Sequence, residues 1–370
     1  MNRREFNKLV GMSSLALGAF PAFSVAGMQN GNCDTLPRVP LGFCDHSLRT
    51  MKPTVDQMID YAIENRLDYL LLNSFRPLES REDQYLSRLK ERADRHDIRI
   101  HVGAGSISEN STRFSDRYGT AKELLREGIR VAAQLGSPIV VCRIGTIEDR
   151  YTDGGITAHM EAVIAVMRSL RAEALNAGVK FAFENHAGDL RTKEQLVVIE
   201  ETGTDICGAL LDFGNAIWAM EDPLHGFEVL GSHIMCTSVR DVMLWPTDEG
   251  AIFQWTAVGQ GQMDYPCLIE AMTTSCPGAP LHIESISNSP RPVPYLTDEF
   301  WTGFPDLDAA EIVEFLRLVR NGHPLELLEP KEGEDKKSFD IKLQKQELKS
   351  SLDYLKKNCH VGLKLEKLNA

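Results

Sequence analysis

Eight short apolar runs, separated by stretches with helical amphipathic spacing, constrain this chain more than any other feature. The runs occupy residues 39–44, 69–73, 98–103, 139–144, 179–184, 206–212, 234–239 and 281–284. Between them, residues 55–64, 85–96, 121–135 and 159–177 repeat apolar side chains at i, i+3, i+4 spacing, the period of a helix with one buried face. Eight strand-and-helix units predict an α/β fold, a parallel (β/α)8 barrel. An open doubly wound sheet is the competing reading.

Two parts fall outside the repeat. Residues 242–263 form a long insertion with alternating apolar positions, suited to a hairpin or loop over the barrel mouth. After Glu284, "SISNSPRPVPYLTDEFWTGFP" is rich in proline and aromatics and reads as an ordered surface loop. Residues 309–320 are amphipathic, 331–337 read as a charged linker, and Leu348, Leu352 and Leu355 mark a last helix packed outside the barrel. The expected layout is a leader over 1–26, a barrel over 38–325, and a charged linker with a C-terminal helix over 326–370.

The leader has its own logic. "MNRREFNKLVGMSSLALGAFPAFSVAG" opens on Arg3, Arg4 and Lys8, continues through small apolar residues, and reaches the small-x-small pattern Ser24-Val25-Ala26. The order Arg3-Arg4-Glu5-Phe6-Asn7-Lys8 resembles the twin-arginine signal that exports folded proteins. An exported, periplasmic enzyme is therefore expected, and cleavage after Ala26 would move the net charge from −13 to about −15. Such a charge opposes non-specific nucleic-acid binding. No later stretch approaches the 18 or so apolar residues of a membrane span. Of the eight cysteines, none forms a C-x-x-C pair, and Cys142, Cys207 and Cys236 lie within strand-like runs as small hydrophobes.

In a barrel of this kind, function gathers where strands end and loops begin. The fifth run ends in Glu184, the sixth in Asp212, and the eighth in Glu284; the seventh ends near Ser238, Arg240 and Asp241. Three carboxylates from neighbouring strands would repel one another. A divalent cation removes that conflict, and oxygen donors suit Mn²⁺ or Mg²⁺. Glu184, Asp212 and Glu284 are thus candidate metal ligands, although each can instead cap the helix that follows. His46, Arg143, His186, Asn215 and Arg240 are candidate substrate-binding groups at the same rim. The arginines suit substrate oxygens or a carboxylate, or a pairing with Asp241 or Glu221. Asn215 suits a helix cap as well, His186 a structural hydrogen bond, and Trp218, Trp245 and Trp255 either sugar stacking or packing.

"FAFENHAG", "LLDFGNAIWAMEDP", "SVRD" followed by "VGQGQMD", and "LHIES" together resemble the sugar phosphate isomerase/epimerase family of the xylose isomerase-like TIM barrel superfamily. The likeness runs from about Val39 to Ile286, with a tail to about Leu355. In ketose epimerases of that superfamily a Glu, an Asp, a His and a second Glu hold one divalent metal. The resemblance places these at Glu184, Asp212, Ser238 and Glu284, and implies that Glu184 and Glu284 are the acid–base pair. Two departures stand out. Ser238-Val239-Arg240-Asp241 replaces the usual His-x-Lys-Asp, and Asn215 stands where epimerases place a substrate-binding His.

The expected function is metal-assisted isomerisation or epimerisation of a keto-sugar through an enediolate. A 3-keto-glycoside lyase using the same site and a non-catalytic carbohydrate-binding barrel are the alternatives. The expected partner is a small carbohydrate, with no nucleic acid, no membrane after removal of the leader, and self-association left open. The abasic-DNA endonucleases that share this barrel carry more metal-binding histidines and a basic groove; a net charge of −13 and sparse histidine usage argue against that reading.

Overall fold

The computed structural model describes residues 38–365; the twin-arginine-like leader lies outside them. In chain order the strands are β1 (Leu41–Cys44), β2 (Tyr69–Leu72), β3 (Arg99–Ser106), β4 (Ile139–Arg143), β5 (Lys180–Glu184), β6 (Cys207–Asp212), β7 (Ile234–Val239), β8 (Asp241–Thr247), β9 (Gly250–Thr256), β10 (Leu281–Ile283) and β11 (Arg291–Val293). Eight of them close a parallel barrel in the order β1-β10-β7-β6-β5-β4-β3-β2. The predicted barrel is therefore the fold, with the open sheet excluded by the β1–β10 pairing, Leu41 opposite Leu281.

The strands are short and buried, so their apolar side chains face both the barrel interior and the surrounding helices. The helices begin where their caps dictate. Thr54 and Thr120 each accept a backbone N–H three residues on, while Gln57 and Glu123 reach back to the cap N–H. The predicted helices over 55–64 and 121–135 match the observed bounds. The stretch 159–177 is instead two helices, Gly155–Ser169 and Arg171–Ala177, which meet at Leu170.

The insertion is the expected hairpin. β8 and β9 pair antiparallel, and β11, from the proline-rich loop, adds a third strand. This sheet carries a core of its own, with Phe253, Trp255, Val293, Phe300 and Phe315 among its buried members. It forms a roof, since β8 departs two residues beyond the end of β7. Asp241, read above as a rim group, is instead structural, because its carboxylate accepts the N–H groups of Val242, Gly259 and Met263. The Gly259–Gly261 turn folds around it, where a Cβ on Gly261 would strike the Asp241 carboxylate.

The opposite end is sealed by the C-terminus. The last helix, Lys336–Asn358, starts inside the stretch read as a linker, because Asp335 caps it through Ser338 N–H. Its Leu348, Leu352 and Leu355 join the main barrel core. The chain then passes under the barrel, where Gly362 N–H donates to the Val39 carbonyl and Leu363 N–H to Asp68.

Candidate active site

Inward-facing residues recur at every second position along each strand, so stepping by two along a strand moves from one layer of the barrel interior to the next. On β7 the step runs from Cys236 to Ser238, and at β10 from His282 to Glu284. The lower layer brings His101, Cys236 and His282 together, all buried. Burial holds both imidazoles neutral, and Tyr69 packs edge-on against both rings. This layer plugs the barrel beneath the mouth.

The layer above it carries the chemistry. Glu184, Asp212 and Glu284 each contribute a carboxylate oxygen to a group whose atoms lie within 4.8 Å of one another. The predicted convergence is thus realised. Their exposures are 2%, 0% and 5%, so the cluster lies below the surface and its charge requires compensation.

Two arginines supply that compensation. Arg240 Nη2 donates to Asp212 Oδ2 at 2.6 Å and to Asn215 Oδ1 at 3.2 Å, while its Nη1 lies 3.6 Å from Glu284 Oε1. Its guanidinium stacks over Trp255, 4.2 Å from the ring centroid. Arg143 Nη1 donates to Glu184 Oε2 at 3.0 Å and to Asn73 Oδ1 at 2.8 Å. Ser238 Oγ donates to Glu284 Oε2 at 3.1 Å.

Asn185 and Asn215 pin the strand ends. Asn185 exchanges two hydrogen bonds with the Asp212 backbone, and Asn215 Nδ2 donates to the Asn185 carbonyl. Asp212 Oδ1 accepts Asn215 N–H and caps the helix Phe213–Trp218. Asn215 is buried with both ends of its amide committed, so it orients Arg240. His186 Nδ1 meets the Gly145 carbonyl and its N–H donates to Asp189. His46 sits half-buried in the turn after β1. Burial holds His46 down to about 4, and holds His186 well below the usual imidazole value. The alternative partners proposed for the arginines are taken elsewhere. Glu221 accepts from Arg191 and Thr192, and Asp241 from the backbone of the roof.

The electrostatics are uneven. Burial, with repulsion from Glu284 and Asp212, pushes the Glu184 carboxyl up to about 8 despite Arg143. Burial also lifts Asp212 to about 6. Burial acts on Glu284 in the same sense and is the largest single influence, but Arg240 and the other basic groups facing it together outweigh it and hold the group down to about 2. With all three ionised, the carboxylates outnumber the two guanidinium groups by one negative charge, and the raised Glu184 meets that excess with a proton where no cation is bound. An additional cation fits that balance, and an all-oxygen donor set fits a hard one such as Mg²⁺ or Mn²⁺ better than zinc, which favours nitrogen and sulfur.

Several neighbours carried no signal in the sequence. Asn73 supports Arg143, and Asp45, pushed up to about 6 by burial, accepts Asn73 N–H at 2.7 Å. Asp45 and Asn73 each lie just beyond a strand; Asn73 is the last residue of the second run and Asp45 lies one residue past the first, so strand-end reading extended to those two runs reaches both. Arg49, in the turn after β1, and Arg291, on the short roof strand β11, have no such position to betray them.

Comparison with known proteins places this fold. Residues 67–317 match the family model described as xylose isomerase-like TIM barrel. The Escherichia coli (strain K12) protein YihM is 24% identical over 241 residues, covering 64% of this chain and 68% of that one. The structure of D-psicose 3-epimerase with D-tagatose from Clostridium cellulolyticum H10 superposes with a TM-score of 0.54 at 14% identity, over 84% of this chain and 98% of that chain. The IolI protein with a bound zinc atom gives 0.52 at 16% identity, over 82% and 97%. With its closed barrel and the family match across most of its length, the chain belongs to the xylose isomerase-like TIM barrel family.

Proposed function

We propose that the protein is a metal-assisted sugar isomerase or epimerase that moves a proton at a carbon next to a carbonyl. The single observation carrying this reading is the meeting of Glu184, Asp212 and Glu284 at the C-terminal mouth of the barrel. Glu184, Asp212 and Glu284 would hold a Mn²⁺ or Mg²⁺ ion, which supplies Lewis-acid polarisation of a substrate carbonyl.

The chain's own groups do the rest. One of Glu184 and Glu284 takes the proton through a carboxylate oxygen, and the other returns a proton to the opposite face or to the adjacent carbon. The two glutamates stand on opposite flanks of Asp212, with β6 and β7 between β5 and β10 in the barrel. Arg143 and Arg240 offer N–H donors to the oxygen that gains negative charge. Asn73, Asn215 and Trp255 hold those guanidinium groups in place, and the roof excludes water. His46 and His186, both neutral, provide hydrogen bonds to substrate hydroxyls. Relatives named for D-psicose 3-epimerase and D-tagatose support a ketose as the first substrate to test. The reading includes export, since a folded barrel is the cargo that a twin-arginine leader carries.

The test is incubation of the purified protein with ketoses in D₂O, with and without Mn²⁺ or Mg²⁺, followed by NMR and metal analysis. Deuterium in an intact, isomerised sugar, lost in Glu284→Gln, is the expected result. Release of a substituent instead would replace isomerisation by elimination. Absence of both, with no ion retained on dialysis, would overturn the enzymatic reading.

A further inference from the structure

Beyond the carboxylate layer, the mouth holds two arginines with no carboxylate partner. Arg49, in the turn after β1, donates Nη1 to the His46 carbonyl at 3.3 Å and to the Ser285 carbonyl at 3.1 Å. Ser285 directly follows Glu284, so Arg49 sits beside the acid–base pair. Arg291, on the roof strand β11, lies flat over two indoles, 4.8 Å from the Trp218 centroid and 5.0 Å from that of Trp255. Trp255 is the ring that also carries Arg240. Among the described residues no carboxylate lies within ion-pair distance of either arginine, and Arg291 Nε is buried without a partner. The opposite charges acting on Arg49 are Glu284, Glu347 and Asp340, all beyond ion-pair distance, and the one acting on Arg291 is Glu148, an exposed group 4.0 Å from Arg113.

Unpaired guanidinium groups in a chain of net charge −13 require a reason. Half-buried and near Arg240, Arg49 and Arg291 are desolvated and repel one another. That arrangement costs stability unless an anion joins it. A planar fork held flat on indoles suits a planar carboxylate, which it binds through two parallel N–H donors. A monoanion also suits the charge behind it, because the carboxylate layer, once all three groups are ionised, carries one negative charge over its two guanidinium groups. A dianion would meet that charge at closer quarters.

We propose that Arg49 and Arg291 form an anion subsite at the mouth of the active site, and that the substrate is a sugar carrying a carboxylate, bound with that group between them. The assignment rests on the isomerase reading for its sugar, but the subsite is measured by binding alone. The experiment is calorimetric titration of the full-length protein with D-glucuronate, D-galacturonate, D-fructose and D-fructose 6-phosphate at low and high salt. Wild type is expected to bind at least one uronate tenfold or more tighter than the neutral sugar, with the preference shrinking in salt. Arg291→Gln and Arg49→Gln are each expected to lose about tenfold for the uronate and to keep the neutral affinity, which certifies the fold. Arg291→Lys is expected to restore part of the loss. Equal affinity for neutral and acidic sugars, or a uronate preference untouched in both glutamine variants, would overturn the subsite. Tighter binding of the phosphorylated sugar would overturn the carboxylate assignment. Uronate binding without deuterium exchange would leave the subsite standing and remove the isomerase, which separates the two failures.

Discussion

Arg240 and Asp212 form the most completely buried ion pair of the mouth, 2.6 Å apart with side-chain exposures of 2% and 0%. Each is costly alone. Removing the cation from such a pair leaves a carboxylate stranded in a low-dielectric interior, a loss of about 3–5 kcal/mol. Arg240→Met is therefore expected to lower unfolding stability by about that amount. Arg240→Met combined with Asp212→Asn is expected to lose less than the sum of the singles, since the second change removes the stranded charge. Urea unfolding of the four proteins checks this. Additive losses would show that the two groups do not stabilise each other.

Gly214 makes room for that pair. A Cβ there would lie 2.5 Å from Arg240 Cγ and 2.7 Å from Nε, closer than real contacts allow. Trp255 Nε1 donates to the Gly214 carbonyl at 3.1 Å, so the same residue also anchors the ring under Arg240. Gly214→Ala is expected to displace the guanidinium and to cut turnover by ten- to a thousandfold, the range for a lost charge-stabilising donor, about 1–4 kcal/mol. Arg240→Lys, which keeps the charge in less space, is expected to tolerate Gly214→Ala better than wild type does. Turnover of the single and double variants on a common sugar decides it.

The extent to which this was legible follows from where information resides in a barrel. Strand-end positions are dictated by local pattern, so Glu184, Asp212 and Glu284 could be named from the apolar runs that precede them. Their partners could be listed but not paired. Arg240 chooses Asp212 over its neighbour Asp241 because β8 turns away at Asp241 to start the roof, carrying that carboxylate to the N–H groups of Val242, Gly259 and Met263. That turn is a tertiary decision, absent from any short window. Arg49 and Arg291 lie 242 positions apart in number, and Arg49 reaches the Ser285 carbonyl only because β10 closes against β1. The break at Leu170 escaped for the opposite reason: apolar spacing continues through it, and no glycine or proline marks it.

Glu347 provides a pH signature outside the carboxylate layer. It lies on the last helix, accepts the Ser287 hydroxyl, and burial pushes it up to about 7 although Arg49 pulls the other way. A carboxyl whose folded value exceeds its unfolded 4.5 favours the folded state when protonated. That contribution is fully present below about pH 4.5 and disappears as pH rises through about 7. Glu347→Gln mimics the protonated form. Its stability is expected to equal that of wild type near pH 5 and to exceed it by roughly 1–3 kcal/mol at pH 8. A difference that stays constant from pH 5 to 8 would place the titration elsewhere.

The route to the expected location is also testable, and the fold gives it a physical reason. The first barrel strand pairs with the last, Leu41 with Leu281, and Gly362 N–H binds the Val39 carbonyl. Closure therefore waits for nearly the whole chain, and long-range pairing of this kind is slow. An exporter that accepts only folded cargo suits such a protein, because the barrel and its carboxylate cluster are assembled before transfer. Replacing Arg3 and Arg4 by lysine keeps the charge and removes the paired guanidinium groups. In a bacterial host the wild-type chain is expected in the periplasmic fraction, and the double lysine variant in the cytoplasm, folded and equally resistant to protease. Periplasmic recovery of the variant at wild-type level would instead assign the leader to the pathway for unfolded chains.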